Sequence, residues 1–310
     1  MKCEILKLLR AEEKVLSGER LSEQLAISRV SIWKHIKKLQ ECGYKIVSTP
    51  KGYELIESPD TPFPWEIPDL EDRIHYFPEV YSTMDVARDL ARKGAEHLSV
   101  VVADCQIKGR GRLRRQWFSD SGGLYFTTIV RPVITPAMSF KISFSASLAL
   151  VRTLRRLYPI DAKVKWPNDI LVEDKKLSGM LSEMETESDL VSYINIGLGI
   201  NVSNDPRISE PNATSLKILL NRDVSRVEIL THFLNEFESL LLNIESEDIV
   251  SQWKKYSGTL NRFVKIVTTT EQIEGFAKDV DETGALVLEL SNGNIKRVIY
   301  GDCFYRADAQ

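Results

Sequence analysis

Between Asp104 and Asp120 the chain reads DCQIKGRGRLRRQWFSD, which puts four arginines and two glycines between two apolar, strand-like runs. Arginine offers phosphate or carboxylate a planar fork of donors, and glycine lets the backbone come close to a ligand. The flanking runs, Ser99 to Ala103 and Gly123 to Val130, anchor the segment at both ends and leave it free between. The pattern predicts a loop that grips an anion. A solvated basic hairpin tip is the plainer reading of such a segment taken alone.

Three other segments have the character of ligand-contacting turns. KVKWPNDILVEDKKLSGMLSE, residues 163–183, sets Lys165, Asn168 and Asp169 about a Trp-Pro-Asn turn, with Lys176 ahead of a strand in which Gly179 permits close backbone approach. INIGLGIN, residues 194–201, ends an apolar strand in glycines and Asn201. EVYSTMDVA, residues 79–87, places Ser82 and Thr83 at a helix start, where hydroxyls and free amides can bind a polar head group. Each also has a bland reading: a helix cap, an exposed ion pair, or glycines that relieve crowding.

The elements that must position these groups alternate along residues 73–246. A helix is expected over Met84–Lys93, strands over 99–105 and 123–130, and a helix over Ser139–Tyr158. Strands follow at Ala162–Lys165, near Ile170, at Leu177–Met184 and at Leu190–Ile200, with two more helices in 225–257. This order predicts an α+β sheet domain and not a regular doubly wound one. The tail, Asn261–Arg306, alternates apolar and polar residues with turns at 282–284 and 291–293, the pattern of a small antiparallel β-barrel.

The N-terminal 56 residues differ in charge from the rest. They hold eleven Lys and Arg against seven Asp and Glu, in a chain of 310 residues whose net charge is −3. They divide into helix, helix, turn, helix and hairpin. Ser28 suits an N-cap, and Ile32, Ile36 and Leu39 form a buried stripe that turns Arg29, Trp33, Lys34, Lys37 and Lys38 outward. A basic outward face on such a helix is what DNA recognition needs, with Ser28, Ser31 and Lys51 of the hairpin turn as further contacts. Trp33 either contacts bases or packs on the wing. A small helical docking domain is the alternative. ESPDTPFPWEIPDL, residues 57–70, carries four prolines and is expected to be an extended connection. The domain expectation is therefore 1–58, a linker at 59–72, then 73–257 and 258–310.

With 43% hydrophobic residues, no apolar run of transmembrane length and a charged N-terminus, the composition predicts a cytoplasmic globular protein without membrane contact. The four cysteines (Cys3, Cys42, Cys105, Cys303) lack CxxC spacing, which argues for reduced thiols and against a metal knuckle.

In order along the chain stand STMD, QxxGRGR, WFS, KWPND, KLSG and GLGIN, preceded by the winged-helix pattern and followed by the small β-domain. This set resembles the biotin protein ligases, specifically the bifunctional form that also represses the biotin operon, and the resemblance covers nearly the whole chain. One departure stands in the loop: GRGRLRR has Arg114 where the family often has a second glycine.

The resemblance implies an α+β multidomain fold: an N-terminal winged helix-turn-helix, a central mixed-sheet, class II synthetase-like catalytic domain, and a C-terminal SH3-like β-barrel. It implies that biotin is held by Ser82, Thr83, Met84 and Gln106 around its ureido ring, and by Arg110, Gly111, Arg112 and Lys176 toward its carboxylate. For ATP and the adenylate it implies Arg112, Trp117, Lys165, Asn168, Asp169, Asn201, Ala213 and Ser215, with Asp169 as a Mg²⁺ contact. Arg110, Arg112, Lys165 and Lys176 would carry the catalysis. None of the four His or four Cys falls inside these motifs, consistent with catalysis by positioning and charge. The implied partners are a biotin carboxyl carrier protein, operator DNA and a second copy of the chain when adenylate is bound. A lipoate or octanoyl-type protein ligase, or a non-catalytic ligand-sensing repressor, is the alternative.

Overall fold

The computed structural model describes residues 1–11, 15–244 and 248–305. The chain divides into two compact units, Met1–Asp72 and Arg73–Gln310.

In the first unit three helices, α1 (Lys2–Ala11), α2 (Gly18–Leu25) and α3 (Arg29–Glu41), precede a hairpin of β1 (Lys45–Thr49) and β2 (Gly52–Glu57). Each helix after the first starts at a serine that answers an orphan amide: Ser17 Oγ accepts from Arg20 N at 3.1 Å, and Ser28 Oγ from Ser31 N at 3.2 Å. Ile32, Ile36 and Leu39 of α3 are buried with Ile5, Leu6, Leu9 and Leu21. Burying such a side chain contributes about 1.5–3 kcal/mol, so this stripe fixes which face of α3 points out. The hairpin gains a third partner in Leu16, whose backbone exchanges hydrogen bonds with Tyr53 at 2.8 and 2.9 Å. That approach requires glycine at position 52: φ is 141°, and a Cβ would lie 2.1 Å from the Leu16 carbonyl oxygen.

The proline-rich segment does not run extended. It makes 3-10 turns at Pro64–Glu66 and Glu71–Arg73, and buries Phe63 and Ile67. The cause is aromatic packing within the unit. Phe63 stacks on Trp65 at 4.7 Å, Trp65 Nε1 donates to the Tyr44 hydroxyl at 2.9 Å, and Arg10 pairs with Glu66 at 2.8 Å.

The second unit is built on β3 (Ile74–Val80), α4 (Thr83–Arg92), β4 (Ser99–Gln106), β5 (Leu124–Val130), α5 (Ser139–Leu157), β6 (Lys163–Lys165), β7 (Asp169–Val172), β8 (Lys175–Glu187) and β9 (Leu190–Ile200). The seven strands form one mixed sheet in the order β3-β4-β5-β9-β8-β7-β6, parallel only between β3 and β4. All seven residues of β5 are buried, because helices cover both faces of the sheet. On one face α4 packs Ala87 and Ala91 against Val101, Ile129 and Tyr193. The other face receives α5 and, after the short α6 (Leu216–Leu220), α7 (Arg226–Leu242) and α8 (Ile249–Lys254); Phe126 meets Phe233, and Phe144 stacks on Trp253 at 4.7 Å.

The tail forms β10 (Phe263–Val267), β11 (Gln272–Val280), β12 (Leu286–Glu289), β13 (Ile295–Val298) and β14 (Asp302–Tyr305). They make the expected small antiparallel β-domain, in the order β13-β12-β11-β10-β14. It is tied to the KWPND turn, because Trp166 N donates to Thr259 Oγ1 at 2.9 Å and its indole to the Gly284 carbonyl at 3.2 Å.

Candidate functional site

The arginine-rich segment is a twisted hairpin. Gln106 bridges Ser119 and Arg110 bridges Gln116, with backbone hydrogen bonds from Trp117 N to Gly109 O (2.9 Å) and from Gly111 N to Arg115 O (2.8 Å). Gly109 is required here, since a Cβ would lie 2.3 Å from the Trp117 carbonyl oxygen. Among the described residues of the tip, Arg112–Arg114, the left-handed position is Leu113 at φ 52°. The backbone reversal thus falls one residue before the site of the family's second glycine.

This hairpin roofs a cavity of about 190 Å³ over β8 and β9. Successive residues of a strand face opposite sides, so Tyr193, Asn195, Gly197 and Gly199 share the face that carries α4. The two glycines make a floor without side chains. A Cβ on Gly197 would meet Met84 Sδ at 2.5 Å, and one on Gly199 would meet Trp117 Nε1 at 2.3 Å. Trp117 therefore lies flat on the sheet as part of the lining, with Lys176 Nζ 5.3 Å from its ring centroid.

At one end is a neutral hydrogen-bonding set. Gln106 Oε1 accepts from Thr83 N (2.8 Å) and Thr83 Oγ1 (3.1 Å), while its Nε2 donates to Ser119 Oγ at 2.8 Å. Thr127 Oγ1 donates to Thr83 Oγ1 at 2.8 Å. At the other end, beside Gly179 and Gly199, Lys176 pairs with Asp169 at 2.8 Å. Arg110 lies on the Thr83 side, pairing with Glu183 at 3.0 Å and with Asp85 of α4 at 3.2 Å. Arg112 donates to Asn168 Oδ1 (3.1 Å) and the Gly301 carbonyl (3.2 Å), and lies 3.9 Å from Asp302, which also pairs with Arg115. Burial pushes the Arg112 guanidinium below its ordinary pKa, yet arginine stays charged at neutral pH.

Of the residues singled out in the sequence, Thr83, Met84, Gln106, Arg110, Gly111, Arg112, Trp117, Asn168, Asp169, Lys176, Asn201 and Ala213 all line this one cavity. Ser82 and Ser215 lie beside it, fully buried, as the N-caps of α4 and α6. Lys165 is the exception: its ammonium sits over the rings of Tyr305 and Phe304, 5.3 and 5.9 Å from their centroids, and does not line the cavity. Buried polar atoms without a partner cluster here, namely Ser82 Oγ, Arg110 Nε, Trp117 Nε1 and Ser215 Oγ. Such groups are costly unless something satisfies them.

The sequence reading missed the carboxylates Asp85, Glu183 and Asp302. Glu183 was findable, since it follows Gly179 by four residues on the same face of β8. Asp302 stands 190 positions beyond Arg112, and no spacing signals that contact. Among the described residues no group of three or more His, Cys, Asp or Glu is placed to hold a metal, and no helix is long and apolar enough to cross a membrane.

On the first unit Ser28, Arg29, Trp33, Lys34, Lys37 and Lys38 are exposed on or beside α3, Ser31 is half-buried, and Lys51 is exposed at the hairpin turn. Lys7 and Lys45 pair with Glu4 and Glu57, whereas no ion pair among the described residues takes Arg29, Lys34, Lys37 or Lys38.

A sheet-floored cavity with a neutral end and a cationic end, in a chain that carries its own helix-turn-helix, defines the class: an enzyme of anionic substrates joined to a DNA-binding unit. Comparison with known proteins narrows it. Residues 76–201 match the biotin/lipoate A/B protein ligase family, residues 3–54 an HTH domain and residues 259–306 the biotin protein ligase C-terminal domain. The bifunctional ligase/repressor BirA of Bacillus subtilis is 32% identical over 308 residues, 94% of either chain, and that of Escherichia coli K12 is 31% identical over 301 residues, 94% of this chain and 93% of the relative. The biotin protein ligase of Aquifex aeolicus, solved with biotin and ATP, superposes with a TM-score of 0.64 at 27% identity, covering 75% of this chain and 98% of its own. The chain belongs to the biotin/lipoate protein ligase family, within its bifunctional ligase/repressor group.

Proposed function

We propose that the chain joins biotin to ATP, transfers it to a lysine of a biotin carboxyl carrier protein, and represses biotin-synthesis genes when loaded with biotinyl-5′-adenylate. The observation that carries this is the polarity of the cavity, neutral at Gln106 and Thr83 and cationic at Arg112 and Lys176. Biotin has that same polarity: a neutral ureido ring and a carboxylate.

The chemical problem is to bring a carboxylate to the α-phosphate of ATP against mutual repulsion. A carboxylate oxygen of biotin bonds to the α-phosphorus while the bond to the bridging oxygen breaks, releasing pyrophosphate and leaving biotinyl-5′-AMP. Arg110, Arg112 and Lys176 would neutralise the charge that builds on phosphorus, and each is held beforehand by a carboxylate or amide. Ser82, Thr83, Met84 and Gln106 orient the ureido end, with Gly111 lining the cavity toward the carboxylate. Trp117, Asn168, Asn201, Ala213 and Ser215 form the nucleotide side. Lys165, over the Tyr305 and Phe304 rings and outside the lining, would serve the phosphates from there. Asp169 would hold Mg²⁺ together with ATP's own phosphates, the usual way that ion binds, and the ion would shield phosphate charge. In the second step the acceptor lysine amine attacks the acyl carbon, AMP leaves and the amine loses a proton. No Cys or His lines the cavity among the described residues, and no enzyme-linked intermediate is needed. The roof hairpin keeps water from the anhydride.

Loaded copies would pair in the cytoplasm, presenting two α3 helices to a palindromic operator, so that ligation and repression draw on one state. The domain division 1–58, 59–72, 73–257 and 258–310 is proposed with it, residues 59–72 being joined to the first unit. The test incubates the full chain with biotin, ATP, Mg²⁺ and a carrier domain. Acceptor labelling is expected, and its absence overturns the ligase reading. A gel shift on biotin-gene upstream DNA that ignores added biotin and ATP overturns co-repression.

A further inference from the structure

The outward face of α3 is not purely basic. With Ile32, Ile36 and Leu39 buried, the helical period of 3.6 residues puts Val30, Lys34 and Lys37 on the ridge farthest from the core, with Trp33 beside it. Val30 is 63% exposed and Trp33 51% exposed. Neither is needed by the core, and Trp33 has no ring contact among the described residues. Two apolar side chains one turn apart therefore stand in water, among Arg29, Lys34, Lys37 and Lys38, which have no carboxylate partner among the described residues.

That combination selects its occupant. Four unpaired cations fit a polyanion better than an apolar protein face. The residues near the N-terminus of a recognition helix are the ones that reach base edges in the major groove. The one apolar group displayed there is the thymine 5-methyl. We propose that Val30 and Trp33 read thymine methyl groups, so that the half-site bound by this chain carries thymine beneath the first two turns of α3, while the surrounding lysines and arginine hold phosphates. This rests on the reading of the first unit as DNA-binding.

The test starts from duplexes selected from a random pool by the full chain with biotin, ATP and Mg²⁺. Each thymine of the selected duplex is then replaced singly by deoxyuridine, which removes the methyl and keeps every hydrogen-bonding group. At one or two positions per half-site, affinity by fluorescence anisotropy should fall by about fourfold, the worth of one buried methyl. V30A and W33A should erase that uracil penalty at their own positions, whereas K37A should weaken thymine and uracil duplexes alike. Uracil that is neutral at every position, or a penalty unchanged in both V30A and W33A, overturns the proposal and leaves DNA binding intact. Failure to select any duplex overturns the DNA-binding reading, and this inference with it.

Discussion

The cations of the two units are held in opposite ways. On α3, Arg29, Lys34, Lys37 and Lys38 are exposed and unpaired among the described residues. Over the sheet, Arg110, Arg112 and Lys176 are partly buried and engaged by Glu183, Asp302 and Asn168, and Asp169. The first arrangement suits a polyanion whose position along the helix must be searched, because solvated charges attract at range and impose little geometry. The second suits a reaction, because charges fixed beforehand need not reorganise when the anhydride forms. On the proposed reading, Glu183 and Asp302 stand in for the substrate anions and keep Arg110 and Arg112 aimed.

Breaking the fixed set should cost most. Lys176→Ala should lower biotin-dependent pyrophosphate exchange by about a hundredfold or more, the usual loss when one charge-stabilising donor is removed; an unchanged rate removes Lys176 from the site. Next comes the floor. Gly199→Ala places a methyl 2.3 Å from the Trp117 indole nitrogen and must lift that ring, raising the KM for ATP by about tenfold through overpacking. The solvated set should respond more gently, and to salt. Lys37→Ala should reduce the slope of log affinity against log salt by about 0.9 in DNA binding, without altering pyrophosphate exchange. The smallest effect tests the stand-in idea itself. Glu183→Gln frees Arg110 from one exposed-side ion pair and should lower the KM for biotin by about two- to fivefold; a raised KM would mean that Glu183 serves the ligand and not the empty site.

Much of this was legible in the sequence, for a physical reason. KWPND, KLSG, GLGIN and the GRGR hairpin are short segments whose local conformation is set by glycine, proline and strand alternation, so their residues announce themselves. The alternation that predicted β8 and β9 also put Gly197 and Gly199 on one face, and the structure lays Met84 and Trp117 on them. What the sequence hid depends on distant contact. Strand β3, the short helix α6 and the Asp302 contact to the arginine hairpin have no local signature, being fixed by sheet pairing and by the β-domain. Prolines at 59–68 read as an extended connection because proline excludes helix, but Phe63 and Trp65 between them had a packing partner in Tyr44.

The most direct measurement is exchange of labelled pyrophosphate into ATP by the purified chain, because it reads the first chemical step in this cavity and nothing else. Exchange is expected with biotin and Mg²⁺, and not when lipoate or octanoate replaces biotin. No exchange, or exchange supported equally well by lipoate, would contradict the assignment of the Gln106 end to a ureido ring and of the Lys176 end to an acyl phosphate.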